Sequence, residues 1–395
     1  MPDYRTIIMK RLLFIFSFFC LPVIGGSAQN VLTLENCLRI GIENNLSLQG
    51  KRKAMQKSKY GVSENRVKLL PQINGFANFN DNIDPPVSVT DGSSYGVPYN
   101  ITRTLQYGAN VGLELQMPLY NQTLYTSISI AEIVDEMSRL SYEKAREDLI
   151  LQISKMYYLG QVTAEQYDNA QAMMTQQLNM LKYIMDYPAE KEIGLLPVNT
   201  DSIATVALTG LSENLYELQL LQSQVQLAER QKRLISNGYI PSLNLTGNWR
   251  FAAYTDEAYH WFRSYGVGLT LRIPIFDGLD KKYKIRKAMI DIEMMKLSQL
   301  DIRKNLHTQY LNAVNDLMNN QRNFKKQKDN YLLAEEVYAV TTDRYREGIT
   351  SMTEVLQDGM RMSEAQNNYI SAHYNYRVTN LMLLKLTGQI ASLFK

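Results

Sequence analysis

The stretch from Pro241 to Pro274 limits the possible folds more than any other part of the chain. In its first arm Leu243, Leu245, Gly247, Trp249 and Phe251 alternate with Ser242, Asn244, Thr246, Asn248 and Arg250. In its second arm Tyr265, Val267, Leu269, Leu271 and Ile273 alternate with Gly266, Gly268, Thr270 and Arg272. Side chains on a strand point alternately to opposite faces, so each arm has one apolar and one polar face. Each arm is about nine to eleven residues long, enough for a tilted strand to cross a bilayer. A half-buried strand of a soluble sandwich has the same alternation, so the pattern alone leaves both readings open.

The hairpin occurs twice. Leu70-Pro71-Gln72-Ile73-Asn74-Gly75 corresponds to Ile240-Pro241-Ser242-Leu243-Asn244-Leu245, and Gly112, Leu113, Leu115, Met117 and Pro118 correspond to Gly268, Leu269, Leu271, Ile273 and Pro274. The hairpin at 71–118 is the longer, its extra length lying in a Pro-, Gly-, Ser- and Asn-rich loop from Asp81 to Arg103. The chain reads as an internal duplication: a first repeat over 29–236 and a second over 237–395, which completes one domain with it.

Ahead of both repeats, Lys10-Arg11 precede an apolar run from Leu12 to Ile24 and the small residues Gly26-Ser27-Ala28. This is the layout of a secretory signal peptide, residues 1–28, cut after Ala28. Cys20 follows the bulky Phe19, which argues against a lipoprotein signal. Without the signal the formal charge of +3 falls to about +1, which gives no electrostatic case for nucleic acid. Cys37 is then the single cysteine, so no internal disulfide is expected. The 26 tyrosines against two tryptophans suit a surface that is partly apolar and partly wet.

Helix is expected over most of the remainder. Thr33 caps a helical stretch that runs to Val67 and stops before Pro71. From Asn121 to Asp186 the chain is nearly free of Gly and Pro, Gly160 excepted, which predicts a rod of roughly 100 Å. Tyr187-Pro188 and Gly194 to Pro197 would break it, with a return helix from Asp201 to Ser236. The second repeat follows the same plan, with a long helix over 281–347, a break at Gly348 and a return helix over 352–386. Tyr310, Leu317, Phe324, Tyr331, Tyr338 and Tyr345 recur every seven residues along it, the spacing of left-handed coiled packing.

Four strands cannot close a membrane barrel, which needs at least eight, and an open sheet in lipid would leave its edges unpaired. Transmembrane hairpins would therefore have to be pooled by several chains, and three copies give twelve strands.

The sequence resembles the TolC family of outer-membrane efflux proteins. The resemblance covers nearly all of residues 29–395. It rests on Leu32-Thr33-Leu34-Glu35 with Asn44-Asn45 ahead of Leu70-Pro71, and on the paired Leu-x-Leu-x-x-Pro segments ending at Pro118 and Pro274. It rests further on Phe276-Asp277-Gly278, on Arg344-Tyr345-Arg346-Glu347-Gly348-Ile349, and on Glu354-Val355-Leu356. It implies a membrane α+β fold in which each repeat gives one hairpin to a trimeric twelve-stranded outer-membrane β-barrel and its helices to a periplasmic α-helical barrel. It implies an outer-membrane exit duct for efflux or type I secretion, working as a homotrimer with a periplasmic adaptor (membrane fusion protein) and an inner-membrane transporter.

By match to that family, Tyr345, Thr350, Glu354 and Gln357 fall where the periplasmic end of the pore narrows. Gly194, Leu195, Gly348 and Ile349 fall at helix-tip turns that meet the adaptor, and Glu114, Arg250 and Arg272 would line the barrel lumen. The chain departs from the family pattern in having Thr350 where some members have Arg and Gln357 where some have a second Asp. The stretch from Glu192 to Asp201 follows the family's turn pattern only loosely.

No catalytic constellation is present. His260, His307 and His373 lack metal-ligand spacing, and there is no phosphate loop, nucleophile elbow or Cys-x-x-Cys. An enzyme, a cofactor and a bound metal are therefore not expected. A reading of a different class is an exported coiled-coil scaffold or adaptor whose hairpins form a soluble cap.

Overall fold

The structure, a computed structural model, describes residues 30–84, 87–91, 99–103, 106–165, 171–196, 210–255 and 260–394. The signal segment 1–28 and the part of the expected first-repeat tip from Pro197 to Asp201 lie outside the described residues. In chain order the elements are β1 (Asn30–Leu32), α1 (Leu34–Asn44), α2 (Leu46–Val67), β2 (Gln72–Asp81), β3 (Val87–Asp91), β4 (Tyr99–Arg103) and β5 (Tyr107–Tyr120). Then come α3 (Gln122–Glu165), α4 (Gln171–Met185), β6 (Ile193–Leu195), α5 (Tyr216–Asn237), β7 (Ser242–Thr255) and β8 (His260–Arg272). The chain finishes with α6 (Asp280–Arg346), α7 (Met352–Leu386) and a 3₁₀ turn, Ile390–Phe394.

The two hairpins share one antiparallel sheet of order β2-β5-β7-β8. Its strands run farther than the alternation first marked, to 14 residues in β5 and β7. A register shift between Pro118 and Tyr120 marks where the sheet ends and helix begins. Part of the loop expected between Asp81 and Arg103 is itself a two-stranded hairpin, β3 with β4.

Each large strand continues into a helix on the same side of the sheet, and the helices keep the order of the strands. α2, α3, α5 and α6 lie side by side beneath β2, β5, β7 and β8. Exposed ion pairs stitch adjacent helices: Arg66–Glu132, Lys144–Glu217 and Lys296–Glu229 at 2.7, 3.5 and 3.2 Å, and Arg303–Glu213. Such pairs contribute little each, and the apolar seams between the helices do most of the work.

Farther from the sheet, two other helices, α4 and α7, take up the columns that α2 and α5 leave. The Ser212 amide donates to the Leu386 carbonyl at 3.1 Å, so α7 arrives where α5 starts. The Asn45 side-chain amide donates to the Ile184 carbonyl at 2.9 Å, so α4 arrives at the break between α1 and α2. Asn45 also makes that break, its side-chain Oδ1 accepting from the Leu48 amide at 2.9 Å as an N-cap. Thr33 caps α1 as expected, accepting from the Asn36 amide at 3.1 Å. The main core lies at this level and joins Cys37 and Leu38 of α1, Ile150 and Ile153 of α3, Leu181 and Met185 of α4, Leu383 of α7 and Ile390.

The first-repeat rod departs from expectation. The 121–186 stretch is two antiparallel helices, α3 and α4, with α4 packed back along α3, so that Leu178 comes beside Gly160 and Met185 beside Ile153. The cause is apolar. Leu181, Ile184 and Met185 fill the core against α1 instead of continuing outward into solvent. Among the described residues the return helix begins at Tyr216, and its expected start at Asp201 lies outside them. The second-repeat helices match their expected bounds closely: α6 has 67 residues and α7 has 35, against 44 for α3 and 15 for α4.

Candidate pore lining and helix-tip site

Directly opposed residues of an antiparallel sheet share a face, so the pairing register assigns every strand residue to one side. One side carries Gln72, Asn74 and Asn78 of β2, Asn110, Glu114 and Gln116 of β5, Thr246, Asn248 and Arg250 of β7, and Ser264, Thr270 and Arg272 of β8. Glu114 stands between Asn74 and Asn248, Arg250 between Gly112 and Ser264, and Arg272 opposite Ser242. All three charged groups expected in the lumen thus lie on one face and are exposed.

The other side carries Ile73 and Phe79, Leu113, Leu115 and Met117, Leu243, Leu245 and Trp249, and Tyr265, Val267, Leu269 and Leu271. Among the described residues no element packs over its centre: Val267 is 82% exposed and Tyr265 81%. A soluble β-sheet buries its apolar face, whereas this one presents it outward. Small residues relieve crowding on the polar side, where the Phe76 ring lies over Gly112 and the Asn248 side chain over Gly266. Among the described residues β2 and β8 are the edge strands of the sheet, with no strand paired on their outer sides. No helix among the described residues is long and apolar enough to cross a membrane.

At the far end of α6 the chain reverses within five residues. The Ile349 amide donates to the Arg344 carbonyl at 2.9 Å and the Gly348 amide to the Tyr345 carbonyl at 3.0 Å, the paired bonds of a Schellman cap. Gly348 has φ +74°, the left-handed conformation that this cap demands. Ser351 then caps α7, its Oγ accepting from the Glu354 amide at 3.3 Å. Glu354 therefore sits in the first turn of a helix, where a carboxylate is favoured by the helix dipole, and it is exposed. Ser351 and Glu354 have the spacing of a capping box, a local signal that the motif reading passed over.

The structure brings Tyr345, Gly348, Ile349, Thr350, Glu354 and Gln357 together around this turn. It does not bring Gly194 and Leu195 there. Both lie in β6, which pairs in parallel with β1 (Gly194 opposite Val31, Leu195 opposite Leu32), at the level of the core. The Leu195 side chain packs where Gly160 of α3 leaves room, and Ile193 is fully enclosed. Their assignment to a helix-tip turn is corrected by this pairing.

Sequence reasoning missed Asp358. Its carboxylate accepts from Thr341 Oγ1 at 2.8 Å and from an Arg361 guanidinium nitrogen at 3.0 Å, fastening α6 to α7 above the turn. Higher still, Phe324 and Tyr331 of α6 stack on Tyr369, His373 and Tyr376 of α7. The heptad tyrosines and phenylalanine therefore form the seam between the two helices of one hairpin. His373 is 5% exposed, and its Nε2 accepts from Arg377 Nε at 2.9 Å. Burial, reinforced by the Arg377 charge, lowers the His373 pKa to about 4, so the ring is neutral. Among the described residues no group of His, Cys, Asp or Glu side chains is placed to hold a metal ion.

A two-faced open sheet continuous with columns of helix has known counterparts. The family model described as Outer membrane efflux protein matches residues 210–389. Outer membrane protein TolC of Vibrio cholerae is 21% identical over 97% of this chain and 96% of its own length. In sequence the chain is similar to the outer membrane efflux proteins. Its fold is that of the TolC-like channels. The open-state Neisseria gonorrhoeae MtrE outer membrane channel superposes with TM-score 0.74 at 16% identity, covering 90% of this chain and 88% of that one. The Campylobacter jejuni CmeC outer membrane channel gives 0.70 at 14% identity, covering 90% and 85%.

Proposed function

We propose that this protein is a passive exit duct through the outer membrane, serving an efflux or type I secretion system as a homotrimer. The observation that carries the reading is the sheet. Its apolar face is bare, its polar face holds Glu114, Arg250 and Arg272, and both of its edges are open. In lipid, open edges must be paired, and three sheets joined edge to edge make a closed barrel of twelve strands. The polar faces then line a water-filled lumen.

Residues 1–28 act as the export signal, and the repeats 29–236 and 237–395 together form the one mature domain. The α6–α7 turn is the periplasmic mouth and the adaptor contact, with Tyr345, Thr350, Glu354 and Gln357 around it. Three Glu354 carboxylates about a threefold axis favour cations. Energy comes from an inner-membrane transporter, because the duct only conducts. No enzymatic step belongs to it.

The test is the native mass and planar-bilayer conductance of the protein extracted from outer membranes in mild detergent. A trimer with cation-favouring conductance, which Glu354→Gln shifts toward neutrality, is the expected result. A water-soluble monomer or dimer would sink the duct and favour a soluble scaffold.

A further inference from the structure

The apolar face of the sheet carries one cation. Along β8 that face presents Trp261, Arg263, Tyr265, Val267, Leu269 and Leu271, so Arg263 interrupts an otherwise apolar row. The register sets it directly opposite Phe251 of β7. Arg250 and Arg272, the other two arginines of the sheet, lie on the polar face.

Both tryptophans of the chain flank Arg263 on the same face. Trp261 is two residues away along β8, and Trp249 of β7 stands opposite Tyr265, the next residue of that face on the other side. Arg263, Trp249, Trp261 and Tyr265 are all exposed. Among the described residues Arg263 has no carboxylate partner. The one acid on that face, Asp81 on the opposite edge strand, accepts instead from the Gln106 side-chain amide at 3.1 Å.

The height of Arg263 follows from strand geometry. Ten residues separate it from Ile273, just beyond the end of β8, a run of roughly 33 Å along an extended chain. A strand tilt of about 35–45° turns that into roughly 25 Å across the membrane, the height of the apolar band of an outer-membrane barrel. Arg263 therefore stands at the rim of the band remote from the helices. With the helices in the periplasm, that rim meets the outer leaflet.

A cation facing lipid is strongly unfavourable at mid-bilayer and nearly neutral at the rim, where its stem lies along apolar surface and its head reaches water. Trp and Tyr gather at the same boundary, ring in the apolar layer and polar atom in the wet one. A guanidinium adds a planar fork that can donate two hydrogen bonds to one phosphate.

We infer that Arg263, framed by Trp249, Trp261 and Tyr265, binds the phosphate of an anionic lipid in the outer leaflet. There is one such site per protomer, three around the barrel. The rings lie against the acyl chains and Arg263 holds the headgroup. The inference rests on the reading of the sheet as part of a trimeric membrane duct.

The two tryptophans border the site, so their emission reports it without a label. The experiment reconstitutes the trimer in vesicles of dibrominated phosphatidylcholine, whose bromines quench indole. Unbrominated phosphatidic acid, which carries a net anionic phosphate, is added in rising fractions, with unbrominated phosphatidylcholine as the reference. Phosphatidic acid should restore emission at an about fivefold lower mole fraction, the effect of one cation on an anionic lipid. Arg263→Gln should remove that difference and Arg263→Lys should keep part of it. The comparison of the two lipids in the wild type needs no variant to fold.

Equal recovery with both lipids in the wild type, or an unchanged preference in Arg263→Gln, would overturn the inference and leave the duct intact. A preference that appears only in Asp81→Asn would overturn it as well, by showing that a carboxylate of the neighbouring copy holds Arg263. Protein that does not enter vesicles as a trimer would remove the duct reading itself.

Discussion

At the scale of single residues, His373 couples the second-repeat hairpin to pH. Phe324 and Tyr369 stack on the ring, and Arg377 donates to it. Protonation would place a second cation against Arg377 in a desolvated pocket. The folded pKa of about 4 lies below the ordinary 6.5, so the unfolded chain takes up the proton first as pH falls. Stability from this residue is complete above about pH 6.5 and is lost progressively as pH drops toward 4. Urea unfolding followed by helical circular dichroism at pH 7.5 and pH 4.5 should show a larger acid loss in the wild type than in His373→Gln. Equal losses would mean that the ring is not the titrating group. Nothing in the sequence around His373 announces this. Only its packing against α6, some fifty residues away, removes it from water.

At the scale of elements, the strands were the most legible part, because alternation with period two is visible in any sheet that separates lipid from water. Leu269 illustrates the consequence: it lies on the bare apolar face, opposite Leu245, and its neighbour Thr270 lies on the polar face opposite Asn244. A cationic side chain near mid-bilayer on a lipid-facing strand costs ~2–4 kcal/mol. Leu269→Arg should therefore sharply reduce the trimer recovered from outer membranes, whereas Thr270→Arg should assemble normally and alter conductance. Comparable recovery of both variants would contradict the assignment of faces.

The helices were half legible. The α6–α7 turn is written in Gly348 and Ser351, local residues with local jobs. The α3–α4 reversal is written in no glycine or proline, so an unbroken rod was the natural expectation. Gly194 and Leu195 look like a turn in sequence, yet they pair as a strand because β1 offers an edge beside them.

At the scale of the whole molecule, one core ties both repeats together. Ile390, at the end of the second repeat, is fully buried among residues of α1 and α3 from the first. Removing a buried aliphatic side chain and leaving a cavity costs about 2–5 kcal/mol. Ile390→Ala should lower the thermal midpoint of the entire periplasmic portion in a single transition. Independent melting of the first repeat would show instead that the repeats are separate units.

The sequence alone determined the duplication, the two-faced strands, the caps and turns, and the length of the second-repeat hairpin. Each of these depends on neighbours a few residues apart, where periodicity and backbone preference act directly. Only the tertiary structure decided that α4 packs back along α3, that Gly194 and Leu195 belong to a strand at the core, and that His373 is buried. Those outcomes depend on which apolar surfaces meet across a hundred residues or more. Leu181, Ile184 and Met185 fold back because α1 and α3 offer them a core, and a helical sequence does not record which way its apolar face will turn.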